Sequence, residues 1–118
     1  HPPLLALLDA TLAEALADRD RAAGRPAGKE AVDAAARAMA LLSEIGFVHE
    51  GESYIRLANA RVALESSGID AARPAVLEAR QRLDARALRL TSDAARETFL
   101  TRVPEHRRTL ELARKLEG

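Results

Sequence analysis

The sequence predicts an all-α fold of five to six antiparallel helices stacked as helical hairpins. Apolar residues recur at three- and four-residue steps along the whole chain. Glycine and proline cluster between those runs and punctuate them. The 118 residues are 47% hydrophobic and 31% charged, which suits one folded domain with a modest core over residues 1–118.

The first helix follows Pro2 and Pro3, with Leu5, Leu8, Leu12 and Ala15 or Leu16 at the spacing of one face. Asp18, Arg19, Asp20 and Arg21 make a polar last turn, and "AAGRPAGKE" breaks the helix with two glycines and a proline. A second helix is expected over residues 29–45, with Val32, Ala35 or Ala36, Met39, Leu42 and Ile45 inward and Gly46 just past its end. Its run of alanines permits close approach of helix axes at little cost in helix propensity. In "GFVHEGE", Phe47 and Val48 form a short apolar insert expected to tuck over the core.

The third helix is expected over residues 53–66, carrying Tyr54, Leu57, Ala58, Val62 and Leu64. Gly68 ends it and Asp70 suits the N-cap of the fourth, so the joint is short enough to force a hairpin. Pro74 then falls in an early turn, where its missing N–H is tolerated. Val76, Ala79, Leu83, Ala87 and Leu90 form the fourth helix's seam, with Arg80, Arg82, Arg86 and Arg89 opposite. Ser92 caps a fifth helix over residues 93–102 with Phe99 and Leu100 inward. Pro104 stops it and opens a sixth that buries Leu110, Ala113 and Leu116. "RVPEHRR" then reads as a kinked joint whose charges, His106 included, face solvent.

Charge and chemistry narrow the function. Eighteen basic residues balance eighteen acidic ones, so no overall field favours nucleic acid or an anionic membrane. Residues 1–69 hold seven basic against ten acidic groups and residues 70–118 eleven against eight, a weak end-to-end asymmetry. The arginines of the fourth helix are diluted by Glu78 and Asp84, and 3% aromatic content leaves almost nothing to stack on bases. A nucleic-acid-binding helical domain is therefore the least favoured reading.

Without cysteine there is no disulfide or thiolate chemistry. His1, His49 and His106 are scattered and form no metal-ligand spacing. "GRPAGKE" has three residues between its glycines and Glu30 after Lys29, so it is no phosphate-binding loop. No catalytic, cofactor-binding or metal residues are assigned, and no cofactor is expected. Apolar runs such as "LLALL" are too short to span a membrane, and the start lacks a basic leader region. His1 in place of Met reads as a fragment of a larger protein, with the cytoplasm as the default compartment.

Residues 52–80, "ESYIRLANARVALESSGIDAARPAVLEAR", resemble one tetratricopeptide repeat. Gly68 stands at the turn, Ala72 and Ala79 at the small positions of the second helix, Val76 at its large apolar position, and Leu57 and Leu64 at first-helix core positions. Arg61 occupies the usual glycine position, the turn is one residue short, and no proline closes the unit. The tail "SDAARETFLTRVPEHRRTLELA" is similar to the last helical pair of degenerate tetratricopeptide arrays in bacterial multidomain signalling proteins, which carry kinase, nucleotide cyclase or ATPase-type regulators. The resemblance covers about the last two thirds of the chain and implies a repeat-like hairpin at 52–90 and capping helices at 91–118, while residues 1–51 fit an earlier helical hairpin by pattern alone.

It also implies a non-enzymatic scaffold that holds a protein or peptide partner, or another domain of its parent, on the concave side lined by first helices. Tyr54, Asn59, Arg61 and Glu65 are the expected contacts. The alternative is a self-association bundle, a homodimer paired through Leu4, Leu5, Leu8 and Leu12 with Leu7 beside them, a leucine-rich face laid bare if preceding repeats are removed.

Overall fold

A computed structural model describes residues 1–46 and 51–117 of the chain. Six helices follow in order: α1 (Pro2–Ala22), α2 (Lys29–Ile45), α3 (Glu52–Ser67), α4 (Ile69–Ala87), α5 (Asp93–Arg102) and α6 (Pro104–Glu117). Phe47, Val48 and His49 lie outside the described residues. The all-α expectation holds, with six helices among the described residues, within the five to six expected.

Polar pairs give the direction of each hairpin. Asp9 meets Arg37 and Arg19 meets Glu30, so α2 runs back along α1. In the same way Glu52 meets Arg82 and Arg56 meets Glu78, so α4 runs back along α3. The α3 helix covers both α1 and α2, and α6 covers both α3 and α4. Each hairpin thus buries its open side beneath the next, as a stacked helical array does.

Alanine makes this stacking close. Of the twenty-two buried apolar residues among those described, fifteen are alanine. Ala6, Ala10 and Ala38 meet Leu42, Ile55 and Ala58 in one cluster, while Ala13, Ala17, Ala31, Ala34 and Ala35 meet Val62 in a second. The third cluster joins Ala60, Ala72 and Val76 to Ala113 and Leu116 of α6. Short side chains bring backbones together, and the resulting contacts are numerous even though each alanine buries little area.

This geometry turns α1 over relative to the simple apolar-face reading. Its alanines Ala6, Ala10, Ala13 and Ala17 face the core, whereas Leu4, Leu5, Leu8 and Leu12 are 43–56% exposed. A bulky leucine stripe would hold α2 and α3 at a distance that the alanine-rich α2 cannot span. On α2 the same effect buries Ala31, Ala34, Ala35 and Ala38 with Leu42 and leaves Val32 exposed, contrary to expectation. The α4 seam agrees with the sequence reading at Val76, Ala79, Leu83 and Ala87.

Boundaries differ where glycine decides them. Gly68 adopts φ +90°, caps α3 and lets α4 start at Ile69. Asp70 therefore lies in the first turn instead of capping it, and Pro74 sits one turn deeper than expected, inside the helix. Gly46 closes α2 in the left-handed region with its N–H donating to Leu42 O at 2.9 Å. Ser92 does cap α5, its Oγ accepting from Ala95 N–H at 3.0 Å.

Two carboxylates staple the hairpins. Asp20 is buried and accepts from Gly28 N–H at 2.8 Å and Arg25 Nε at 2.9 Å, fixing the α1–α2 connection. The Gly28 bond, helped by Arg25 and Arg19 and opposed by burial, holds the Asp20 carboxyl below the usual range. Glu52, also buried, takes Arg82 and Arg56; burial pushes its pKa up, but these two arginines outweigh it and the net shift is downward. Both groups bind fewer protons in the folded chain than in the unfolded one. Their stabilisation is complete above the unfolded values of about 4 and is lost as pH falls through the lower folded values. Thermal midpoints followed by circular dichroism should be nearly level from pH 8 to 5 and fall below about pH 4. Asp20→Asn should lower the midpoint at pH 7 and flatten the acid limb.

Candidate protein-binding groove

The helices α1, α3 and α6 lie side by side and enclose a groove of about 660 Å³. Packing explains it: α2 packs on α1 and α4 on α3, while α3 lies between α1 and α6. Tyr54, Leu57 and Leu64 of α3, Ala15 of α1 and Leu112 of α6 supply its apolar lining.

An ion network crosses its floor. The Arg61 guanidinium, mostly buried, donates through Nε to Glu65 at 2.6 Å and through its two terminal nitrogens to Glu14 and Asp18. Burial disfavours its charge, but the bonds to Glu65, Asp18 and Glu14 outweigh that and raise its pKa. Glu14, buried on α1, also accepts from Arg108 Nη2 of α6 at 3.2 Å, with Nη1 3.0 Å from its other oxygen. Three helices are thereby tied together by two guanidinium groups and three carboxylates.

Of the four residues expected to contact a partner, Tyr54, Arg61 and Glu65 line this groove and Asn59 does not. Arg61 serves the network first, and its planar fork is the reason it can engage three carboxylates at once. Sequence reasoning missed Glu14, Asp18, Arg108, Leu112 and Lys115. Thr11, Glu14, Asp18 and Arg21 follow one another at helical steps on one face, as do Arg108, Glu111, Leu112 and Lys115, so each stripe was present in the sequence. What joins the stripes is tertiary.

"RVPEHRR" departs from its reading as a wholly solvated joint. The chain does kink at Val103 between α5 and α6. His106, however, is buried, with Nδ1 2.7 Å from Phe99 O and its ring centroid 4.3 Å from that of Phe99. Arg86 stacks over the other partner, 5.1 Å from the Phe99 ring centre. The histidine is a structural pin of the α5–α6 corner.

The α4 arginines are likewise engaged. Arg82 bonds Glu52, Arg80 bonds Asp84 at 3.1 Å and Arg86 donates to Ser53 Oγ at 2.8 Å. Among the described residues no group of three His, Cys, Asp or Glu is placed to hold a metal ion, and no helix is long and apolar enough to cross a membrane. Compared with protein-family models, with curated proteins and with solved structures, the chain matches none.

Proposed function

We propose that this chain is a non-enzymatic protein-interaction module of tetratricopeptide type, a scaffold for a regulatory or signalling protein, and that the α1–α3–α6 groove receives a short segment of its partner. The observation that carries this reading is the groove itself: an open channel with an apolar lining over a charged floor, formed by α1 and α3, first helices of the kind that the repeat resemblance assigns to the concave side, together with α6 of the last pair. Its volume matches the side chains of a few residues, the scale of a peptide rather than of a globular surface. The dense ion network supports recognition over chemistry, because its guanidinium and carboxylate groups are engaged with one another. The cytoplasm suits a chain without cysteine.

Selection from a displayed random-peptide library tests it. Bound sequences should lose at least tenfold in affinity, about 1.4 kcal/mol, on Tyr54→Ala or Leu112→Glu. Binders indifferent to both substitutions would place recognition elsewhere.

The exposed α1 leucines favour a second reading, self-association through Leu4, Leu5, Leu8 and Leu12. Light scattering over a tenfold concentration range should then show a dimer that Leu5→Glu with Leu8→Glu dissolves while helicity is kept. A monomer at every concentration would remove this alternative.

A further inference from the structure

We propose that the groove has an adjustable wall, in which the Arg108–Glu14 pair acts as a strap holding the start of α6 toward α1 and its release widens the groove. The biological use of this device rests on the groove being a binding site; the movement itself is tested without a ligand.

The contact pattern isolates the strap. The α1 backbone packs against α2 and α3, and that of α6 against α3, α4 and α5, but α1 and α6 do not pack on one another. Side chains alone cross the gap: Arg108 Nη2 donates to Glu14 Oε2 at 3.2 Å, and Nη1 lies 3.0 Å from Oε1 as an ion pair. A two-pronged pair of this kind fixes direction as well as distance.

Asymmetry makes the strap releasable. The Glu14 side chain is 9% exposed and that of Arg108 40%. When the pair opens, Arg108 enters water, while Glu14 keeps its bond to Arg61 and is not left as a lone buried charge. Opening therefore avoids the large penalty that breaking a fully buried pair carries.

The anchorage of α6 sets the direction of movement. Ala113 and Leu116, in its second half, are embedded with Ala60, Ala72 and Val76. Its first half buries His106, against Phe99 of α5, and Thr109, whereas α5 has no buried residue of its own. Arg86 stacks on Phe99, and α4 packs on α5 less extensively than on α3 or α6. The apolar anchorage of α6 thus lies in its second half, and its first half, which carries the α5–α6 corner, is tied toward α1 by Arg108, the arrangement of a hinged wall.

The absence of cysteine allows site-specific spin labels without background. Labels on Leu12→Cys and Arg107→Cys report the α1–α6 gap, and labels on Leu12→Cys and Ser67→Cys report the α1–α3 frame; all three positions are exposed. Introducing Arg108→Gln should lengthen the first mean distance by about 2 Å or more, the scale of a helix shift, and broaden its distribution, with the second unchanged. Arg108→Lys should restore part of the original distance. An α1–α6 distance unmoved by Arg108→Gln would overturn the proposal, because apolar packing alone would then hold the wall. So would equal changes in both distances or a loss of helicity, which would make the pair a general brace.

Discussion

Arg61→Ala should destabilise the fold by about 3 kcal/mol, lowering the thermal midpoint on the order of 10 °C. The substitution leaves Glu14, Asp18 and Glu65 facing one another across the groove floor, with Arg108 as their remaining close cation. Glu14 suffers most, since it is buried on α1 and cannot move to water without the helix. Urea denaturation monitored by circular dichroism measures the effect. A companion variant isolates its cause: Arg61→Met with Glu14→Gln keeps the approximate volume and removes the central opposed pair, so it should recover a good part of the loss. A cost below about 0.5 kcal/mol for Arg61→Ala, the range of an ordinary surface substitution, would show that the carboxylates are hydrated in place and that the network adds little.

The second large effect comes from a residue with almost no side chain. Ala10→Leu should cost about 3 kcal/mol or prevent folding, whereas Leu8→Ala, two residues away, should change stability by no more than about 0.5 kcal/mol. Ala10 is fully buried where α1 meets Ala38 and Leu42 of α2 and Ile55 and Ala58 of α3. Three added carbon atoms there must push helices apart, because neighbouring alanines have no rotamers with which to yield. Leu8 is 56% exposed and its truncation leaves no cavity. Equal sensitivity at the two positions in urea titrations would contradict this packing.

That pair of residues also shows where sequence reasoning about α1 ends. Leucine and alanine both recur on it at helical steps, and hydrophobicity ranks the leucine face as the one to bury. The partner decides otherwise: α2 offers alanines, and two alanine faces allow an approach that a leucine face forbids. On α4, where one face alone is apolar, the seam was legible without knowing the neighbour. The acidic staples were hidden for a related reason. Asp20 and Glu52 look like ordinary charges near helix ends, and only the folded positions of Gly28, Arg25, Arg56 and Arg82 make their burial tolerable.

By itself, then, the sequence determined what local physics controls: an all-helical chain of five to six helices, the Ser92 cap, the glycine breaks at Gly46 and Gly68, and the kink before Pro104. Each depends on backbone conformations and on neighbours within a few residues. The three-helix groove, the convergence of Arg61 and Arg108 on Glu14, the inward turn of His106 and the outward turn of the α1 leucines were decided only by tertiary structure. They join residues as far apart as 14 and 108, and periodicity along one helix carries no information about which stripe of another helix it will face.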